Sequence, residues 1–193
     1  PDANSELMTH FEYVMVIVSI ILGLGLTVVL RGLSKLARSE NPSAVVVIWG
    51  FFLLLLFLQT WWALWDLKQI QLWTQPDFLF ITIYCCIMYA MAELLLPMAS
   101  RPDTDWVAHF MSVRKWYFLL QALLGTMGVT LTWIQLDIPL SHPYRFVQGF
   151  IIVMSLAAWK TTKMRLQFWI AVAVIAGFMT GQVLFRLIPG LQG

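Results

Sequence analysis

An all-α, polytopic transmembrane helical bundle of six spans is the fold class this sequence predicts, and three observations carry it. Hydrophobic residues make up 60% of the 193 residues and charged residues only 11%, against about 45–50% and 25% in soluble domains. The apolar residues gather into six stretches close to the length that crosses about 30 Å of hydrocarbon, roughly 20 residues at 1.5 Å each. Nine of the twelve basic residues fall in three alternate gaps between those stretches. The runs are continuous and lack apolar/polar alternation, which excludes a membrane β-barrel.

The spans are expected at Phe11–Leu30, Ala44–Trp65, Phe78–Leu96, Trp116–Ile134, Tyr144–Trp159 and Leu166–Phe185, within one transmembrane domain over residues 1–193. Pro42, Pro76, Pro97, Pro139, Pro143 and Pro189 stand at or just outside their ends, where a missing amide donor does least harm. The acidic start, Asp2, Glu6 and then Glu12, lacks a basic n-region, so the first run is expected to be a retained span and not a signal peptide. Leu33 and Leu36 alternate with Arg31, Lys35 and Arg38, extending span one along the inner surface to Asn41-Pro42. Span five is the shortest: sixteen residues rise about 24 Å. Arg145 and Lys160 at its ends can snorkel to the interfaces, and a re-entrant segment is the alternative. Between spans three and four, Asp103 is expected to cap a short in-plane interfacial helix. Its apolar face is Trp106, Val107, Phe110, Met111 and Val113, with Arg114-Lys115 at its end.

The basic residues set the orientation. Arg31, Lys35 and Arg38 follow span one, Arg101, Arg114 and Lys115 follow span three, and Lys160, Lys163 and Arg165 follow span five. Lysine and arginine are retained in cytoplasmic loops, so both termini are expected outside. The ten tryptophans read as interfacial belts. Trp61, Trp62, Trp65, Trp73 and Trp133 fall on the outer side, and Trp49, Trp106, Trp116, Trp159 and Trp169 on the inner side.

Inside a bilayer water does not drive helices together, so small residues that permit close approach carry the packing. Candidate seams are Ser19, Gly23 and Thr27 on span one, Gly125 and Gly128 beside Gln121 and Thr132 on span four, and Ala173, Gly177 and Gly181 on span six. Gln59, Gln121 and Gln182 are candidates for interhelical hydrogen bonds. One polar stripe stands out: Thr82, Cys86, Tyr89 and Glu93 share a face of span three. It is a candidate conduction track or ligand wall. Its competing reading is an anchor, with Glu93 paired to Arg31, Arg114 or Lys115 at the inner surface.

Several chemistries are set aside. His10, His109 and His142 lie at span ends or in connections and lack carboxylate or cysteine company, a poor arrangement for a haem or metal. Adjacent Cys85 and Cys86 are expected as free thiols. There is no phosphate-cradling glycine loop, G-x-S-x-G or H-E-x-x-H, and a net charge of +2 does not suit nucleic-acid binding. No enzyme activity and no cofactor are expected.

The first third of the chain resembles a group of small bacterial polytopic membrane proteins of uncharacterised role. Phe11, Tyr13 and Val14 match their F-x-Y-V opening. Leu22, Gly23, Leu24 and Gly25 match L-G-L-G, followed by Thr27, then Gly32 and Leu33, with paired Trp61 and Trp62 later. The resemblance implies a bacterial inner membrane and no particular activity. The functional expectation is a non-catalytic protein that moves or gates a small solute or ion as a homo-oligomer in the lipid bilayer. The alternatives are a structural or accessory subunit with a membrane-protein partner, or a binder of an apolar ligand or lipid near Trp61, Trp62 and Trp65.

Overall fold

The computed structural model describes residues 10–69, 73–101, 103–134 and 139–186. Asp2, Glu6, Pro189 and Gly193 lie outside the described residues. Among the described residues six α-helices follow in order: α1 (His10–Ala37), α2 (Ala44–Ala63), α3 (Gln75–Leu95), α4 (Trp106–Ile134), α5 (Tyr144–Lys160) and α6 (Met164–Arg186). A 3-10 turn, Leu64–Gln69, extends α2, and the described residues contain no strand. Five stretches are long and apolar enough to cross a membrane: Phe11–Ala37, Ala44–Lys68, Gln75–Leu95, Trp106–Ile134 and Met164–Val183. The remaining helix, α5, has 17 residues and rises about 26 Å.

The helix ends follow local chemistry. Glu12 in the first turn of α1 and Lys35 in its last turn complement the helix dipole. The Thr74 amide donates to Asp77 Oδ2 at 3.0 Å, and Pro76 sits in the first turn of α3, where its absent N–H costs nothing. Asp105 Oδ1 accepts from the amides of Val107 and Ala108 at 3.0 and 2.9 Å, which makes it the N-cap of α4.

That cap corrects one expectation. Residues 103–113 do not form a separate short helix capped by Asp103; Trp106–Val113 are the first two turns of a continuous 29-residue α4. No glycine or proline interrupts the chain between Trp106 and Gln121, so the backbone has no reason to break. The two large aromatic side chains of that stretch face protein, whereas Val107 is exposed. Trp106 and Phe110 are fully buried, and the Trp106 indole N–H donates to Ser39 Oγ at 3.1 Å. Span one is likewise a single helix, ending at Ala37 rather than at Asn41-Pro42.

The helices form a closed ring in the order α1, α3, α4, α5, α6, α2, with α2 also touching α3 and α4. Large side chains seated over glycines set much of this arrangement. A Cβ built on Gly25 would fall 2.4 Å from Phe57 of α2, one on Gly32 would fall 2.5 Å from Leu96, and one on Gly50 would fall 2.7 Å from Leu33 of α1. On the other side of the ring, Ile152 of α5 covers Gly125, while Phe150 and Val147 of α5 cover Gly177 and Gly181 of α6.

Neighbouring contacts also give direction. Arg114 of α4 reaches Thr161 just beyond α5, Gly125 faces Ile152, and Thr132 meets Arg145. The two helices are therefore antiparallel over the whole length of α5.

Gly32 and Gly23 give a paired test of this packing. Gly32→Ala drives a methyl into Leu96 Cβ, an atom tied to backbone, and should cost about 1–3 kcal/mol. Gly23 has nothing within 4 Å of an added Cβ, so Gly23→Ala should gain up to about 1 kcal/mol of helix propensity. Thermal unfolding in lipid–detergent micelles reads both.

Candidate functional site

The α3 stripe does not lie on the buried face of its helix. That face is Ile81, Cys85, Met88, Met91, Ala92 and Leu95, whereas Cys86 is exposed and Thr82, Tyr89 and Glu93 are half-buried. Thr82 Oγ1 donates to the Phe78 carbonyl of its own helix at 2.7 Å. Glu93 Oε2 accepts from the Met98 amide at 3.3 Å, closing the turn after α3. Among the described residues no ion pair joins Glu93 to Arg31, Arg114 or Lys115. Arg114 instead donates to the carbonyls of Thr161 and Met111 at 3.2 and 2.9 Å. Lys35 donates to the carbonyls of Met98 and Ser100, and these contacts hold the basic ends of the helices together. Cys85 and Cys86 are free.

The glycine seams divide by use. Gly125, Gly177 and Gly181 meet α5, as described above, and Gly128 lies 3.9 Å from the Tyr84 hydroxyl through its notional Cβ. Ala173 is half-buried. The Ser19–Gly23–Thr27 face of α1 is different. Gly23 and Thr27 are exposed, and Thr27 Oγ1 donates back to Gly23 O at 2.8 Å. This face forms one wall of a groove of about 330 Å³, lined by Ser19, Leu22, Gly23, Leu26, Phe57, Leu58 and Trp61. Among the lining side chains only Ser19 and Trp61 carry a polar atom, the Ser19 hydroxyl and the Trp61 indole N–H. Trp61 is 52% exposed and forms the rim; Trp62 and Trp65 are exposed and do not line the groove, and Lys68 Nζ lies 5.2 Å from the Trp65 ring centroid.

Two tryptophans assigned to the inner belt belong to the core instead. Trp49 is 0% and Trp106 is 1% exposed. Trp49 anchors an edge-to-face cluster with ring centroids 5.7 Å from Phe52, 5.9 Å from Tyr117 and 5.0 Å from Phe118, and Phe52 reaches Phe178 of α6 at 5.8 Å. The cluster ties α2 to α4 and α6. Each such pair contributes about 0.5–1.5 kcal/mol beyond area burial.

Polar residues at the α4–α5–α6 interfaces also depart from expectation. Arg145, expected to snorkel to an interface, is tied to oxygens of α4, α5 and the connection between them. Its guanidinium donates to the Val129 carbonyl at 3.2 Å, to Thr132 Oγ1, to Gln148 Oε1 at 2.8 Å and to the Pro139 carbonyl at 3.4 Å. A cation at a helix N-terminus opposes the dipole, and these oxygens offset that cost. Gln121, expected as interhelical glue, is buried with neither amide atom hydrogen-bonded. Gln167, which the sequence did not single out, does that work. Its Nε2 donates to the carbonyls of Ala158 and Thr161 at 2.7 and 2.8 Å, securing the end of α5 to α6. The signal available was a glutamine followed by an apolar run, one turn into α6.

The class defined here is a multi-pass helical membrane protein. Comparison with known protein families, curated proteins and solved structures finds no match.

Truncating the central indole checks the aromatic cluster. Trp49→Ala should cost about 3–5 kcal/mol through lost packing and the cavity left behind. Trp62→Ala, at a side chain 70% exposed, should stay within about 0.5 kcal/mol. Both are read from unfolding midpoints in the same micelles.

Proposed function

We propose that the protein is a non-catalytic inner-membrane protein that holds an apolar chain, the acyl tail of a bilayer lipid, in the groove between α1 and α2. The groove itself carries this reading. Its 330 Å³ falls at the lower end of the range of about 300–1,000 Å³ for small-molecule sites. Its walls are almost wholly hydrocarbon, and Gly23 and Leu58 leave it open at the surface of the bundle. Trp61 at the rim suits the headgroup level, which amphipathic indoles prefer. A solute path along α3 has less support, because Thr82 is bonded within its own helix and Cys86 faces away from the core.

In this reading α5 crosses the bilayer as a sixth span, and both termini lie outside. Its antiparallel contacts with α4 extend from Arg114–Thr161 to Thr132–Arg145, a stretch of α4 that rises about 27 Å. The same contacts put Lys160, Lys163 and Arg165 at the end of the bundle that carries Arg31, Lys35, Arg38 and Arg101. Placing that basic end in the cytoplasm follows lysine and arginine retention. The bacterial inner membrane follows from the resemblance of the first third.

Two measurements test these statements. Native mass spectrometry from lipid nanodiscs should find lipid retained by the wild type and lost in Gly23→Leu, with the unfolding midpoint preserved. A wild type without lipid would overturn the groove reading, as would a dimer that Gly23→Leu dissociates, since a second copy would then fill it. For orientation, a reporter fused after Gly193 should be active outside the cytoplasm; activity inside would overturn the placement of both termini outside.

A further inference from the structure

Five polar side-chain atoms on α2, α4 and α6 are buried and are not satisfied by protein. Trp49 Nε1, Tyr117 Oη, both amide atoms of Gln121 and Gln167 Oε1 are all buried without a hydrogen-bond partner. The four side chains are 0%, 0%, 2% and 0% exposed. Lipid cannot help them, because hydrocarbon offers neither donors nor acceptors. Buried polar groups in folded proteins nearly always find a partner, and where protein supplies none, ordered water does.

Their placement groups them in the fold. Tyr117 and Gln121 are one turn apart on α4 and therefore share a face. The Trp49 ring meets the Tyr117 ring at 5.9 Å, so α2 brings its indole to the same level. Gln167 approaches from α6. Its amide nitrogen and the Arg114 guanidinium donate to the same Thr161 carbonyl, and Arg114 lies one turn before Tyr117 on α4. The antiparallel pairing of Gly125 with Ile152 and of Arg114 with Thr161 brings Gln121 level with Ser155. Ser155 is fully buried, and its hydroxyl is already committed to the Ile151 carbonyl.

The chemistry of the set selects its ligand. Trp49 offers only a donor, Gln167 Oε1 only an acceptor, and Tyr117 and Gln121 offer both. A metal cation would need acceptors alone, and an anion would need donors alone. None of the four side chains carries a formal charge. We infer that Trp49, Tyr117, Gln121 and Gln167 form a buried hydration site between α2, α4 and α6, occupied by ordered water that bridges their unpaired donors and acceptors. The bundle is then wet at its centre while its outer groove between α1 and α2 is apolar. This inference stands independently of lipid binding.

Side-chain NMR of ¹⁵N-labelled full-length protein in nanodiscs tests it. The Trp49 indole signal is assigned by its disappearance in Trp49→Phe. In the wild type, the Trp49 indole N–H and the Gln121 amide protons should show cross-peaks to water. In Gln121→Leu, which removes the central bridging group, the Trp49 water cross-peak should be lost. A wild type without either cross-peak overturns the inference, even if Gln121→Leu fails to fold. So does a direct coupling across a Trp49–Gln121 hydrogen bond, or a Trp49 water signal undiminished in Gln121→Leu.

Discussion

Each large side chain seated over a glycine of a neighbouring helix brings two backbones close, and the ring of six helices depends on these contacts. Phe57 lies over Gly25, Leu33 over Gly50, Ile152 over Gly125, Phe150 over Gly177 and Val147 over Gly181. In hydrocarbon a leucine gains nothing by leaving lipid for protein, so association draws on dispersion contacts made at short range. A notch one methyl deep is what permits that range. The contacts recur at the α1–α2, α4–α5 and α5–α6 interfaces. They also hold α5, the shortest helix, between two longer ones.

Interlocked aromatic rings supply the contacts at the centre. Trp49, Phe52, Phe118 and Phe178 bring α2, α4 and α6 together edge to face, so α2 meets the opposite side of the ring as well as its neighbours. That packing places the Trp49 indole N–H and the Tyr117 hydroxyl where neither water from the surface nor a backbone carbonyl satisfies them. Rigid aromatic geometry and unsatisfied polarity thus arise from the same residues. The polar ends of the helices are treated in the opposite way. Lys35, Arg114 and Arg145 each donate to carbonyl oxygens, so their charges tie off helix ends and loops.

Helix α1 shows how one element serves two purposes. Gly25 and Gly32 stand seven residues apart on one face and receive Phe57 and Leu96. Gly23, about 200° around the helix from Gly25, receives nothing and opens the groove. The first face binds the protein to itself, and the second is left for the surroundings. A bilayer fills any such apolar notch with whatever chain fits best, which is why the groove rather than the α3 stripe carries the functional reading.

The sequence by itself determined where the helices lie and where most of them end. Both depend on local properties: long apolar runs and prolines at the borders. It also showed that basic residues gather in alternate connections. It could not separate Gly25 from Gly23, or Trp49 from Trp62, because residue type and spacing are the same whether a side chain meets protein or lipid. In a soluble helix, hydropathy contrast marks the inward face. Here lipid and core are equally apolar, so that contrast is missing. Only the tertiary structure decided that Trp49 and Trp106 are core, that Gln167 and not Gln121 ties helices together, and that one glycine face of α1 remains open.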